Sequence, residues 1–220
     1  MKVDLSIIIV SFNTKKLTLA CIDSIVKNTK GVGYEIIAVD NASTDESVAS
    51  LKNLNLKKGV LKVIENDENR GFASANNQGI KKSGGEYVLL LNSDTQVKKG
   101  SIESLLSFAE KKEDAGAVVP KLLNSDGSTQ PSVFRFPTIK GAVRQYFLQG
   151  ENYLDKYYPA GKEPTVVDAT VMAALLITPK ALEKVGFLDE RYFMYFEDLD
   201  YCRRIKEGGL KVYYYPDSEV

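Results

Sequence analysis

The chain has 220 residues, of which 29 are lysine or arginine and 29 are aspartate or glutamate, so its formal net charge is zero. Zero net charge excludes a general attraction to nucleic acid or to an anionic membrane, and any phosphate must bind at a local site. The hydrophobic share of 44% and the charged share of 26% are those of an ordinary globular protein. A chain of this length is expected to form one domain over residues 1–220.

The absence of histidine and the low number of cysteines limit the kinds of catalytic and metal site that the chain can form. There is no histidine, which excludes histidine triads, histidine metal clusters and a histidine general base, so catalysis would depend on carboxylates. Cys21 and Cys202 lie far apart inside helix-like patterns and are expected to be reduced, buried thiols. The sequence shows no leader and no apolar segment of roughly 18–20 residues, which predicts a cytoplasmic chain.

Predicted strands and helices alternate along the first half of the chain. In chain order we predict strand 5–10, a helix capped by Thr14, strand 34–39, helix 46–54, strand 60–64, helix 71–82, strand 87–91 and helix 101–112. Each strand is a short apolar or β-branched run, which is typical of strands covered on both faces. The alternation indicates βαβ units, an α/β fold and a mostly parallel central sheet flanked by helices.

The second half of the chain is less regular. We predict a strand at 117–119, an apolar run over 166–177, helices at Pro179–Val185 and 200–207, and a strand at 211–215. Residues 121–164 form a long, weakly patterned connection with scattered aromatic residues, namely Phe134, Phe136, Tyr146, Phe147, Tyr157 and Tyr158. Long connections of this kind are often binding loops, so this one is either the wall of an acceptor pocket or a structural insertion.

Polar clusters follow three of the predicted strands, at residues 11–13, 40–45 and 92–94. Ligands of open α/β sheets bind outside the carboxyl ends of the strands, so the three clusters are expected to line one cleft. In the last cluster, Asn92 and Asp94 could share a divalent cation, because Mg²⁺ and Mn²⁺ need only one or two protein carboxylates beside phosphate and water. The alternative is an ordinary turn at the end of a strand, where Asn, Ser and Asp are common.

The other junctions between strands and helices carry candidates for nucleotide binding. Asp40 directly follows a strand and is placed to accept hydrogen bonds from a nucleobase or ribose, whereas Asp45 is expected to cap a helix. Arg70 and the backbone of Asn69-Arg70-Gly71 could hold a diphosphate. The sequence has no G-x-G-x-x-G after the first strand and no P-loop motif, so dinucleotide and P-loop sites lose their main support.

An acidic group near the end of the chain is a candidate general base. Glu197 and Asp198 follow the bulky segment Phe193-Met194-Tyr195-Phe196, which is expected to desolvate a carboxylate and raise its pKa. The alternative is a helix N-terminus enriched in acids, with Arg203 and Arg204 as i,i+4 partners. The sequence leaves both interpretations open.

Taken in order, five motifs resemble family 2 glycosyltransferases, and most closely the rhamnosyltransferase-like branch that builds bacterial and archaeal surface polysaccharides. The motifs are LSIIIVSFN at 5–13, VDNASTD at 39–45, NRGFASANNQGI at 69–80, LNSDT at 91–95 and GFLDERYFMYFEDLDYCR at 186–203. Their order and spacing cover nearly the whole chain. The resemblance implies a GT-A fold, a nucleotide-diphosphate sugar donor, a divalent metal and an inverting single displacement onto a glycan or lipid-linked acceptor.

The resemblance also implies roles for residues in the first half of the chain. Asp40 matches the acid that reads the pyrimidine base, Ser11 and Asn13 match the loop around that base, and Arg70 matches a basic residue that binds the donor. The nucleotide-binding part would cover about 1–119, and the acceptor and catalytic part about 120–220.

Three further matches concern the metal and the chemistry. Asn92-Ser93-Asp94 matches the D-x-D element, with Asp94 as the ligand of Mg²⁺ or Mn²⁺ and Asn92 in place of the first Asp. Asp198 matches the catalytic base, and Glu197 is its neighbour in the motif. A lipid-linked acceptor would bring the chain to the inner face of the plasma membrane as a peripheral protein.

Two features depart from this branch. Ala169 and Met172-Ala173 stand where a Trp and a Gly-Ala pair are usual, and Met172 is expected to fill space beside the donor or acceptor. A histidine that often supplies a metal ligand would be due just beyond Val220, so we expect a longer natural chain that binds metal more tightly.

Two other functions remain as alternatives. A sugar-1-phosphate nucleotidyltransferase would share an α/β nucleotide-binding core, but Ser11-Phe12-Asn13-Thr14 is not its Gly-rich, basic signature. A non-catalytic domain that binds nucleotide sugars would also fit, and the departure at Met172 favours it.

Overall fold

The structure is a computed structural model that describes residues 3–57, 59–139, 143 and 155–220. Its strands are β1 Leu5–Ser11, β2 Tyr34–Asp40, β3 Leu61–Glu65, β4 Tyr87–Leu91, β5 Ala115–Lys121, β6 Val133–Phe134, β7 Thr165–Val167, β8 Ala169–Thr170, β9 Ala174–Ile177 and β10 Lys211–Glu219. Its helices are α1 Lys15–Asn28, α2 Ser47–Lys52, α3 Gly71–Lys82, α4 Ser101–Lys111, α5 Pro179–Val185 and α6 Glu197–Glu207.

An eight-stranded sheet in the order β3-β2-β1-β4-β9-β5-β10-β7 organises these elements. The first four strands of this order pair in parallel, with Leu5 opposite Tyr34 and Ser11 opposite Asp40. The carboxyl ends of β1, β2 and β4 therefore lie at one edge. This parallel part confirms the prediction from the alternating strands and helices.

The apolar run over 166–177 contains three strands. It divides into β7, β8 and β9, and β9 lies antiparallel between β4 and β5, while β7 lies antiparallel to β10. β8 pairs with β6 in a separate two-stranded sheet. An apolar run shows that a strand is buried but carries no information on its direction, which is why the sequence did not reveal the antiparallel insertions.

Two apolar layers cover the two faces of the sheet. Helices α3, α5 and α6 contribute to one layer, and α1, α2 and α4 contribute to the other. α3 packs so closely on β1 that a Cβ at Gly79 would lie 2.5 Å from a methyl carbon of Ile8. Cys202 lies in the first layer and Cys21 in the second, and both are free and buried, as predicted.

Several predicted strands and helices were too short. β5 extends two residues beyond the predicted strand on each side, and β10 continues past Pro216, where its pairing with β5 shifts register before Glu219 meets Lys121. α6 begins at Glu197 rather than at Asp200, so both candidate acids lie in its first turn. Acids there complement the positive end of the helix dipole.

The connection over 121–164 holds partly buried and exposed aromatic residues. Phe134, Phe136 and Tyr157 pack against the layer of α3, α5 and α6, whereas Tyr158 is half-exposed. A cavity of about 500 Å³ lies between Tyr158 and the end of β10 rather than at the ends of β1 and β2. Tyr146 and Phe147 fall outside the described residues, so the choice between acceptor wall and insertion stays open.

None of the helices formed by the described residues is long and apolar enough to cross a bilayer.

Candidate functional site

The ends of β1, β2 and β4 meet through hydrogen bonds, as the three polar clusters predicted. The carbonyl of Ser11 accepts a hydrogen bond from the Asn41 backbone N–H at 2.8 Å. The Thr14 hydroxyl lies 3.2 Å from the hydroxyl of Ser11 and 3.2 Å from that of Ser93. Residues from all three strand ends therefore lie together at the carboxyl edge of the sheet, and this region is here called the cleft.

The loop after β1 is fastened to the loop after β2. Asn13, with a φ of 55°, donates its backbone N–H to the Ser43 hydroxyl at 2.9 Å and accepts the Thr44 N–H at 2.8 Å. The Ser11 hydroxyl is buried and lies 3.0 Å from that of Thr18. In this structure Ser11 and Asn13 shape the rim of the cleft, and their contact with a base stays a prediction.

Asp40 is the buried acid of this cleft. It is 1% exposed, and its Oδ2 accepts the Ser43 backbone N–H at 2.8 Å. Its Oδ1 is buried and has no hydrogen-bond partner among the described residues. Because a buried polar atom without a partner is costly, this oxygen suits a donor supplied by a ligand, such as the imide N–H of a pyrimidine.

Asp45 has the structural role predicted for it. Its carboxylate accepts the backbone N–H of Lys15 at 2.9 Å and that of Ser47 at 3.2 Å, which are the first residues of α1 and α2. The hydrogen bond from the Ser47 hydroxyl, followed by that from Lys15, lowers its pKa. Thr14 precedes α1 as predicted but makes no capping hydrogen bond with its side chain, because Asp45 supplies the cap.

The turn after β4 presents one carboxylate to solvent. The Asn92 backbone N–H donates to the Ala173 carbonyl at 2.8 Å, and the Asn92 carbonyl accepts the Thr95 hydroxyl at 2.7 Å. Asn92 is half-buried and Asp94 is exposed. The cluster is thus a hydrogen-bonded turn, as the structural alternative predicted, and its carboxylate is exposed to solvent.

The donor set of this turn fits a metal that is shared with a ligand. No group of three or more Asp, Glu or Cys side chains that could hold a metal occurs in the described part of the chain. Mg²⁺ and Mn²⁺ accept such sparse protein ligation, since phosphate oxygens and water complete their shell. Asp94, with Asn92 beside it, would hold the ion only together with a diphosphate.

Met172 is a buried side chain. It is 4% exposed and packs inside the apolar layer that contains Leu175 and Val88. That this side chain fills space beside a donor or acceptor stays a prediction, since the next residue, Ala173, accepts the Asn92 backbone N–H. The departure from the related sequences is absorbed by the core, because a flexible methionine fills irregular gaps there.

Asn41 ties the Asp40 loop to the start of α3. Its Oδ1 accepts the Arg70 backbone N–H at 3.1 Å and the Asn66 amide at 3.0 Å, and its Nδ2 donates to Asn69 Oδ1 at 2.8 Å. Arg70 is exposed and precedes the first residue of α3. The sequence analysis missed Asn41, although it lies within the polar cluster singled out after β2.

The candidate base lies at the N-terminus of α6. Burial raises the pKa of the Asp198 carboxyl above its ordinary value, opposed in part by the Leu199 N–H at 2.7 Å and by the charge of Lys156. Burial also raises the pKa of Glu197, whose Oε2 is buried without a partner among the described residues. Both acids have the raised pKa that was predicted.

The predicted reason for that pKa needs correction. The four residues 193–196 are 50–73% exposed, so they do not form a closed apolar surround. The structural alternative is also partly present, since Arg204 pairs with Asp200 at 2.8 Å, whereas Arg203 pairs with Glu207 instead. Asp198 has no such arginine partner among the described residues.

The chain segment that precedes Asp198 reaches the start of α3, beside Arg70. The Phe193 carbonyl accepts the Phe72 backbone N–H at 2.8 Å. Phe72 is the second residue of α3, so the contact lies two residues from Arg70. The structure therefore brings together the Asp40 loop, Arg70 and the segment that precedes Asp198.

Comparison with known families decides the classification. The profile of Glycosyl transferase family 2 matches residues 6–167. The chain belongs to glycosyl transferase family 2. The match extends over every residue proposed for donor and metal binding, from Ser11 to Asp94, and ends before Asp198.

Curated relatives of this family 2 chain include N-acetylglucosaminyl-diphospho-decaprenol L-rhamnosyltransferase of Mycobacterium tuberculosis, which is 30% identical over 84% of the chain and 65% of its own length. The low-salt glycan biosynthesis hexosyltransferase Agl10 of Haloferax volcanii is 28% identical over 95% of the chain and 64% of its own length. The chain thus spans less than two thirds of the length of these relatives.

Solved structures show that the family 2 chain has the GT-A fold. GalNAc-T7, crystallised with UDP, GalNAc and Mn²⁺, superposes with a TM-score of 0.76 over 99% of the chain and 43% of its own, at 18% identity. TarS 1-349 of S. aureus superposes with a TM-score of 0.65 over 97% of the chain and 60% of its own, at 17% identity. The fold class predicted from the sequence is confirmed.

Proposed function

We propose that the protein is an inverting, metal-dependent glycosyltransferase of cell-surface polysaccharide synthesis. Its donor is a UDP- or dTDP-sugar, with dTDP-rhamnose a leading candidate. The observation that carries this proposal is the unpartnered, buried oxygen of Asp40 at the cleft where the ends of β1, β2 and β4 meet. A pyrimidine N–H would supply the missing hydrogen bond.

The donor would lie across the carboxyl edge of the parallel strands. Asp40 would bind the base, Ser11 and Asn13 would shape its rim, and Arg70 and Asn92 would contact the sugar diphosphate. Asp94 would hold Mg²⁺ or Mn²⁺. When bound, the ion offsets the negative charge that develops on the departing nucleoside diphosphate.

The carboxylate of Asp198 would perform the acid–base step. It accepts the proton of the acceptor hydroxyl while that oxygen forms a bond to the anomeric carbon and the bond from this carbon to the diphosphate oxygen breaks. A raised pKa suits this role, because a base is most effective when its pKa approaches the working pH. In a single displacement the acceptor hydroxyl is the nucleophile, so the protein needs only one base and the anomeric configuration is inverted.

The acceptor would be a hydroxyl of a glycan or of a lipid-linked sugar. The name of the Mycobacterium tuberculosis relative describes transfer to a sugar carried by diphospho-decaprenol. A comparable acceptor would place this protein at the inner face of the plasma membrane as a peripheral protein.

The test is turnover of a panel of UDP- and dTDP-sugars with Mn²⁺, with and without acceptor glycans, by the wild type and by Asp198→Asn. We expect kcat to fall by roughly 10²–10⁴ while the Kd of the nucleotide changes little, since only the base is lost. Because Asp198 must be ionised to act and its pKa is raised, the wild-type rate should decline on acidification already above pH 3.8.

Asp200→Asn is the matched control. Asp200 lies in the same helical turn but pairs with Arg204, so its loss should leave kcat within about threefold. Equal losses in the two variants, or no turnover and no nucleotide binding by the folded wild type, would contradict the proposed function.

A further inference from the structure

Residues 188–193, here called the strap, lie against α3, and a buried side chain of α3 binds their first part. Asn77 is 1% exposed. Its Oδ1 accepts the Leu188 backbone N–H at 3.0 Å, and its Nδ2 donates to the Leu188 carbonyl at 2.9 Å and to Glu190 Oε1 at 2.9 Å. The amide thus pairs with both backbone groups of Leu188, as a neighbouring strand would.

The other end of the strap is held at the start of α3. The Phe193 carbonyl accepts the Phe72 N–H, and Gly71 approaches Phe193 so closely that a Cβ there would overlap the Phe193 carbonyl oxygen. Gly71 also has a φ of 78°. The strap is therefore fixed to the helix at both of its ends.

Asp198 follows this fixed segment directly. Only residues 194–197 separate Phe193 from Asp198, and Tyr195 and Phe196 take left-handed backbone conformations with φ of 70° and 69°. This short connection joins the strap to the first turn of α6. The end of the strap that precedes Asp198 is the end bonded to the N-terminus of α3, next to Arg70.

We infer that Asn77 is a positioning residue that holds Asp198 in place through the strap, relative to the donor site at the start of α3. The inference rests on the proposed role of Asp198 as base. Asn77 contacts no reacting group itself. Displacement of a catalytic group by about 1 Å costs on the order of a hundredfold in rate, so loosening the strap should reduce kcat rather than donor binding.

The neighbouring residue offers a matched control. Asn76 is also 1% exposed, but its Nδ2 donates to the Phe72 carbonyl of its own helix at 2.9 Å. Asn76→Ala and Asn77→Ala both remove a buried amide from α3, and each is expected to lower the melting temperature. Only Asn77→Ala releases the strap.

The first measurement uses the absence of tryptophan from the chain. Phe193→Trp places a single tryptophan at the end of the strap, and its fluorescence anisotropy reports how firmly the strap is held. We expect Asn77→Ala to lower this anisotropy and Asn76→Ala to leave it unchanged. Equal anisotropy in the two variants would overturn the inference even if the proposed function is correct.

The second measurement compares kcat with the Kd of UDP in the presence of Mn²⁺, in chains without the tryptophan. Asn77→Ala should lower kcat about 10- to 100-fold and change the Kd less than about twofold, whereas Asn76→Ala should change neither beyond twofold. A loss of UDP affinity that equals the loss of kcat would overturn the inference. Failure of the wild type to bind UDP would instead refute the proposed function.

Asn77→Asp keeps the test possible if the alanine variant does not fold. It preserves the volume and an acceptor for the Leu188 N–H but removes the donors to the Leu188 carbonyl and to Glu190. It should show the same fall in kcat and in anisotropy. Wild-type kcat and wild-type anisotropy in this variant would contradict a positioning role.

Discussion

At the scale of single residues, the cleft separates acids that serve the fold from acids that are left for a ligand. The Asp45 carboxylate accepts hydrogen bonds from the first residues of α1 and α2. Asp40, five positions earlier, has one buried oxygen without a hydrogen-bond partner among the described residues. A fold that needed only a helix cap would gain nothing from an additional carboxylate that is buried. The difference between these two acids is the physical basis for assigning the nucleobase to Asp40.

Asp40→Asn tests that assignment. The amide can still accept the Ser43 N–H, but it loses the negative oxygen that would accept a base N–H. We expect the Kd of UDP to rise about 10- to 100-fold, and the free energy of unfolding to stay equal or increase by about 1 kcal/mol, because a buried charge is removed. Calorimetric titration and thermal melting measure the two quantities.

Asp45→Asn is the control from the same loop. It weakens the cap of two helices and should lower the melting temperature while the Kd of UDP stays close to that of the wild type. A loss of UDP affinity confined to the Asp45 variant would reverse the assignment.

At the scale of elements, the segment between the strap and α6 combines exposed apolar side chains with an unfavourable backbone. Tyr195 and Phe196 are 73% and 64% exposed and both have positive φ. Left-handed conformations cost non-glycine residues about 1–2 kcal/mol each. They persist here because Phe193 is bonded to Phe72 on one side and the Phe196 carbonyl accepts the Asp200 N–H on the other.

Tyr195→Asn should therefore stabilise the protein, since asparagine tolerates the left-handed conformation and little buried area is lost. We expect a gain of about 1 kcal/mol in the free energy of unfolding, measured by denaturant titration. Met194→Asn, at a half-exposed position without positive φ, should bring no gain. Equal effects at the two positions would show that the backbone of Tyr195 is not strained.

The sequence predicted some of these elements and could not predict others. Short apolar strands and the polar residues after them located Ser11, Asp40 and Asp94 at one edge, because parallel strands end on the same side. The roles of Asn41 and Asn77 depend on partners up to 113 residues away, and an asparagine carries no local sign of such a contact. The left-handed backbone at Tyr195 could not be predicted either, because tyrosine is not a residue type that favours a positive φ.

At the scale of the whole molecule, stability is expected to change with pH in an acidic range and in an alkaline range, and no histidine titrates between them. Several acids have a lowered pKa, among them Asp189 at about 2 through its hydrogen bond from Arg191, and Asp114 through that from Lys211. Burial raises the pKa of Cys21 to about 11 and that of Cys202 to about 12. With no histidine in the chain, few side chains titrate between the acidic range of the carboxyl groups and the alkaline range of the thiols.

The melting temperature should therefore be nearly constant from about pH 6 to pH 8. Acids with a lowered pKa stabilise the fold above their unfolded pKa near 4, and this contribution is lost as the pH falls toward 2. Glu197 and Asp198 have the opposite effect on stability as the pH falls, because protonation removes the cost of burying their charges. Circular dichroism melts measure the profile, and a step near pH 6.5 would contradict it.

Stability should decline again at alkaline pH. The buried thiols remain protonated in the folded state but ionise near pH 9 when unfolded, so their contribution is lost as the pH rises from 9 toward 12. Cys202→Ala should reduce this alkaline slope, although it lowers the melting temperature at pH 7 by leaving a small cavity. An unchanged slope in this variant would assign the alkaline loss to other groups.

The central claim is that Asp40 and Asp94 bind one nucleotide and its metal, and a crystal structure of the protein with Mn²⁺ and UDP or dTDP tests it most directly. The account predicts anomalous density for Mn²⁺ at coordination distance from Asp94, bridged by the diphosphate, and a pyrimidine N–H hydrogen-bonded to Asp40 Oδ1. A nucleotide bound elsewhere, or bound in the cleft with Mn²⁺ remote from Asp94, would contradict it.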